Sequence, residues 1–246
     1  MVRKELERWR RVSDAHVLMA YGELVSLVAV QQPDLRWARA MLEEIEEVED
    51  LVHARAGAAF SAINVWTEPK CREAATGLLV RLLMRRERGV WVAVFDLFRL
   101  VEELIPEPHT VTLLEAIAEH IAFAPRLSGT IAVERLATLL PHQATLVARI
   151  AQGLMNLWKD ELGDIRTSTA ATAPQLVDLA VTLHRLGPET REMGTGLFEQ
   201  LVEMDAYSAR QTLEEIDNRF RSERRTVRPH LPRRSSRRPG RASRGS

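Results

Sequence analysis

Six carboxylates fall within eight positions: Glu43, Glu44, Glu46, Glu47, Glu49 and Asp50, interrupted only by Ile45 and Val48. Met41, Leu42, Leu51 and Val52 flank them, and the pattern reads as the solvated face of an amphipathic helix. Like charges three and four residues apart destabilise an isolated helix slightly, a cost that a basic neighbour would relieve. Glu43, Glu46, Glu47 and Asp50 are therefore candidate partner-binding residues, facing a basic partner or this chain's own C-terminal segment. A second candidate lies in the polar stretch Asp160–Ala173, where Asp160, Glu161, Asp164 and Arg166 precede Thr167-Ser168-Thr169. A loop of this length is unusual between helices, and long loops are disproportionately functional. Its acids and hydroxyls suit helix capping, cation binding or partner contact; Asp164 and Arg166 are assigned to the partner. No nucleophile and base can be assembled from it.

The densest positive charge is C-terminal. From Arg219 to Ser246 there are eleven arginines and one glutamate, a balance of +10, which leaves 23 basic and 33 acidic residues in 1–218, a balance of −10. Arg224, Arg225, Arg228, Arg233, Arg234, Arg237 and Arg238 are mixed with Pro, Ser and Gly, a composition that cannot build a core and predicts disorder. Such a tail suits sequence-independent contact with phosphates, so these arginines are the candidate nucleic-acid contacts. With no Trp or Tyr in the segment and its one Phe at Phe220, base stacking is not expected. Solubilising and protein-docking roles stay open.

Other chemistries lack their residues. The histidines, His16, His53, His109, His120, His142, His184 and His230, show no i, i+4 pair and no H-E-x-x-H, the arrangement that a helical zinc site needs. Cys71 is the single cysteine, which excludes an internal disulfide and multi-cysteine metal sites. Neither G-x-x-x-x-G-K-[ST] nor a strand-borne G-x-G-x-x-G occurs, so no phosphate cradle is expected. Gly194 and Gly196, inside a helical pattern, read as places where another helix approaches closely or the helix is weakened. No cofactor, metal or small-molecule ligand is expected, and the chain reads as a non-enzyme. Scattered carboxylates in a groove between helices are the enzymatic alternative.

Aromatic residues are only 5% of the chain, so the core must come from Leu, Val, Ala, Ile and Met, a mix that favours helix. Three lysines (Lys4, Lys70, Lys159) stand against 31 arginines, a bias that suggests a GC-rich, bacterial source. Basic residues precede the apolar run Val17–Val30, but Glu5, Glu7 and Asp14 lie among them and Glu23 breaks the run, unlike a signal peptide. The longest stretch without Asp, Glu, Lys or Arg, Leu136–Ala148, has 13 residues against the ~18 of a membrane span. A cytoplasmic protein is expected.

Apolar spacing predicts helices over 2–31 (with a break near Ser13-Asp14), 33–55, 69–87, 90–105, 109–123, 129–140, 142–159, 174–186, 188–204 and 206–222, with 57–66 as a further short helix. Thr172-Ala-Pro-Gln175 has the form of a capping box, Gly187 of a left-handed C-cap, and Pro33 and Pro188 of first-turn prolines. Trp91, Val94, Phe95, Phe98, Val101 and Ile105 make one apolar stripe; Met193, Leu197, Leu201 and Met204 make another. The fold class is all-α.

Paired helices of ~12–20 residues with short links across 69–222 resemble HEAT and armadillo α-solenoids, in which helical hairpins stack on their neighbours. The stretch Trp158-Lys-Asp-Glu-Leu-Gly-Asp-Ile-Arg-Thr-Ser-Thr-Ala-Ala-Thr-Ala-Pro-Gln-Leu is similar to the helical C-terminal region of large bacterial multidomain proteins, some of them ATPases. That resemblance implies an NTPase core elsewhere. The expected organisation is an N-terminal helical hairpin region at 1–66, equally readable as an irregular bundle, a helical-repeat region at 67–222 and a disordered tail at 223–246. The function implied is a protein-interaction scaffold, or a nucleic-acid-associated accessory protein acting through the tail.

Overall fold

The computed structural model describes residues 2–101, 104–124, 130–159 and 165–204, together with positions 214 and 218. Among these residues there are eleven α-helices and no strand: α1 (Val2–Trp9), α2 (Ala15–Gln31), α3 (Arg36–Glu47), α4 (Val52–Trp66), α5 (Pro69–Leu83), α6 (Arg88–Leu100), α7 (Pro108–His120), α8 (Thr130–Ala137), α9 (Leu140–Lys159), α10 (Ile165–Leu186) and α11 (Pro188–Met204). Short 3-10 turns lie at Glu49–Leu51 and Ile121–Phe123. No helix among the described residues is long and apolar enough to cross a membrane.

Local chemistry sets most boundaries. Asp14 caps α2 by accepting from the backbone N–H of His16 and Val17 at 2.9 and 3.1 Å, which is why the expected break falls there. Pro69, Pro108 and Pro188 each open a helix, where a missing N–H costs least. Three expectations are corrected. The span 33–55 is not one helix: α3 ends at Glu47, Val48 turns extended (ψ 123°), and α4 takes in 57–66. The cause is three-dimensional. The buried Arg55 guanidinium reaches back to the carbonyls of Ile45, Val48 and Glu49, which a continuous helix would point along its own axis. Second, helix α10 starts at Ile165 and carries Pro174 inside it, so much of the expected loop is helical. An interior proline costs about 3 kcal/mol, and the packing of α10 on α8, α9 and α11 opposes that cost. Third, no described glycine has positive φ. Gly187 precedes Pro188, and a residue before proline is pushed towards extended backbone. The left-handed residue is Arg86, at φ 59°.

The apolar stripe of α6 also stops short. Trp91, Val94 and Phe98 are buried, but the helix ends at Leu100 and Ile105 is 57% exposed. One apolar core runs from Leu6 to Leu201. Its helices follow a simple order: α4 packs on α2 and α6, α5 on α7, α6 on α8, α7 on α9, α8 on α10, and α9 on α11, with sequence neighbours α4–α5 and α10–α11 also in contact. The even-numbered helices α2 to α10 and the odd-numbered helices α5 to α11 thus contact one another in turn, while α2–α3 and α9–α10 also pack together.

Polar bridges follow the same rule. Glu44 of α3 pairs with Arg10, just past α1. Glu46 of α3 takes two bonds from Arg81 of α5, at 2.7 and 2.9 Å. Arg55 of α4 grips the carboxylate of Glu87, which precedes α6, at 2.8 and 2.9 Å, and Arg72 of α5 pairs with Glu107, which precedes α7. Gln152 of α9 donates to Gln200 of α11 at 2.6 Å. Each bridge joins one helix to the next but one.

Candidate partner-binding groove

Three successive odd-numbered helices leave an open groove of about 640 Å³. Ala118 and Glu119 of α7, with Ile121 and Ala122 of the following turn, make one side; Arg149, Gln152, Gly153, Asn156 and Leu157 of α9 lie along the middle; Glu189, Glu192, Met193 and Gly196 of α11 close the other side. The spacing within each helix explains why they share a face: 149, 152, 153, 156 and 157, and 189, 192, 193 and 196, recur at three and four residues.

The floor depends on two glycines of opposite character. A Cβ at Gly153 would meet Ile121 Cγ2 at 2.1 Å, so this glycine lets the turn after α7 settle against α9. At Gly196 nothing lies within 4 Å of where a Cβ would stand. Its neighbour Gly194 does serve close helix approach, as the sequence suggests: a Cβ there would sit 2.6 Å from Ala180 O and 2.7 Å from His184 N. Gly196 has no such role, yet a glycine inside a helix costs about 1 kcal/mol relative to alanine.

Charge in the groove is unbalanced. Glu119, Glu189, Glu192 and Arg149 are exposed and form no ion pair among the described residues. Three carboxylates against one guanidinium give a net −2 beside an apolar floor of Ile121, Leu157 and Met193. Such a surface can hold a cationic segment with aliphatic stems.

The acidic run on α3 is different. Glu43, Glu47 and Asp50 are exposed, whereas Glu46 is tied to Arg81, whose own pKa rises because Glu46 accepts its hydrogen bonds. The basic neighbours that the charge pattern called for are thus partly internal, Arg10 and Arg81. Glu43, Glu46 and Glu47 lie on α3 and Asp50 in the 3-10 turn after it, and none of the four lines the groove. Asp164 lies outside the described residues, as do Arg224, Arg225, Arg228, Arg233, Arg234, Arg237 and Arg238; Arg166 falls in the backbone of α10. Sequence reasoning missed the groove residues because they come from three helices and look like ordinary solvated positions; the signal within reach was Gly196.

Elsewhere the chemistry is structural. Cys71 is buried, and burial followed by the nearby Glu68 carboxylate raises its thiol pKa. Among the described residues no three His, Cys, Asp or Glu side chains gather as a metal group. No family model, curated protein or solved structure matches this chain.

Proposed function

We propose that this chain is a cytoplasmic, non-catalytic interaction module: an irregular, HEAT- or armadillo-like α-solenoid of stacked antiparallel hairpins that presents the α7–α9–α11 groove to another protein. The observation that carries the reading is the bridging of each helix to the next but one. In a solenoid, each layer of helices is built from every second helix of the chain, and the exposed face of a layer is the usual extended binding surface. On this reading the groove belongs to such a face, and its unpaired charge beside an apolar floor supports a docking role. A crosslinked, nuclease-treated pulldown tests it, comparing the full chain with Gly196→Leu, which puts bulk into the groove at a position where an added Cβ meets nothing within 4 Å. A protein recovered by the parent chain and lost with G196L supports the module; recovery unchanged by G196L argues against the groove.

A second reading, an accessory protein held on nucleic acid by its tail, is favoured by one observation: the +10 tail on the −10 body. Changing Arg224, Arg225, Arg228, Arg233, Arg234, Arg237 and Arg238 to Gln should then abolish a salt-dependent association with DNA or RNA; association that survives the change contradicts it.

A further inference from the structure

We propose that the groove is occupied within the same molecule by the arginine-rich segment 219–246, so that a partner must displace it. The inference rests on the groove being a docking surface and names its resident. Three features point to this occupant. The groove carries Glu119, Glu189 and Glu192 without ion-pair partners among the described residues, against the single Arg149, while 219–246 carries eleven arginines and one glutamate. Arginine also fits the floor: its methylene stem packs on apolar surface while the guanidinium reaches a carboxylate. Gly196, on the α11 side of the groove, leaves open space where a side chain would stand, although its own helix packing does not need a glycine.

The tether is long enough. Arg219 follows Met204 by 15 residues, which even as unbroken helix covers about 22 Å, against ~12 Å of α11 between Met204 and Gly196. Linkage at this range gives an effective concentration on the order of millimolar, so individually weak exposed pairs become sufficient. The α3 edge is a poorer seat. It packs on α2 and α4, far along the chain from the segment's tether at α11, and already has Glu44 and Glu46 paired internally.

The test is photocrosslinking of the full-length chain with benzoylphenylalanine at Ala122, an exposed position on the groove rim, in a mixture of isotopically light and heavy chains, with a second probe at Asp50 as control. The expected result is crosslinks to 219–246 within one isotopic chain. They should fall several-fold at about 1 M NaCl, where screening length drops to ~3 Å, and again in Gly196→Leu and in the Glu189→Gln, Glu192→Gln double variant. Crosslinks equally frequent from Asp50 overturn the seat, crosslinks between light and heavy chains overturn the intramolecular arrangement, and absence of tail crosslinks overturns the proposal. A groove probe that captures another protein from lysate, but never the tail, refutes this inference while leaving the interaction-module reading in place.

Discussion

The crossing of α2 and α4 and the face made by α7, α9 and α11 use the same residue type to opposite ends. At the crossing, a Cβ on Gly22 would lie 1.9 Å from Ala54 O and one on Gly57 2.0 Å from Met19 O, so the two backbones touch. Ser26 Oγ closes the contact by donating to Ala58 O at 3.1 Å. Nearby, Arg55 is 2% exposed and its donors are directed to Glu87 and to three backbone carbonyls. In the α7–α9–α11 face, Gly196 meets nothing and the charged side chains point to solvent. Where glycine and charge are consumed by the chain's own packing, they report on stability. Where the same groups are left over, they are free to serve the docking proposed above.

The largest effect should come from Arg55→Met. It leaves the Glu87 carboxylate and three carbonyls without their donor, a loss of about 3–5 kcal/mol typical of breaking a buried pair, read as a drop in the urea midpoint. Gly22→Ala should cost about 3 kcal/mol, because backbone rather than a flexible side chain must move. Gly196→Ala should instead gain up to ~1 kcal/mol from helix propensity. Equal losses at 22 and 196 would erase the distinction between the two regions.

A smaller effect sharpens the closed region. The Tyr21 hydroxyl is buried and has no hydrogen-bond partner among the described residues; burial, partly countered by Arg10, holds its pKa above the ordinary 10.0. The unfolded chain therefore ionises first, and stability contributed by the neutral phenol is present below pH 10.0 and lost as pH rises towards the folded pKa. Tyr21→Phe should flatten that alkaline decline in pH-dependent denaturation while leaving stability at neutral pH within about 1 kcal/mol. A steeper decline in the variant would refute the assignment. Smallest of all, Glu46→Gln breaks a half-exposed pair with Arg81 and should cost at most ~1 kcal/mol, shrinking as salt is added.

How much of this was legible beforehand varies with the range of the interactions. The bounds of α11, Pro188–Met204, coincide with the expected 188–204 because Pro, an acidic first turn and a regular apolar stripe are all local signals. The break at Val48 was not legible: no Gly or Pro marks it, and its cause is a guanidinium seven residues on. The start of α10 was misjudged because Ser, Thr and Pro read as loop chemistry, although helix continues through them. The groove was hidden for a related reason. Its members span positions 118 to 196, and each one taken alone is an unremarkable surface residue.

The neighbour-to-neighbour order of the helices also bears on how the molecule comes together in time. Every substantial helix contact joins elements with at most two helices between them, so few long excursions of chain must close before packing rewards them. Local connectivity of this kind favours rapid formation of each hairpin, and growth can proceed outward from whichever hairpin forms first. The α2–α4 crossing at Gly22 and Gly57 and the α10–α11 hairpin are the two most densely packed helix pairs, and either can serve as such a starting point.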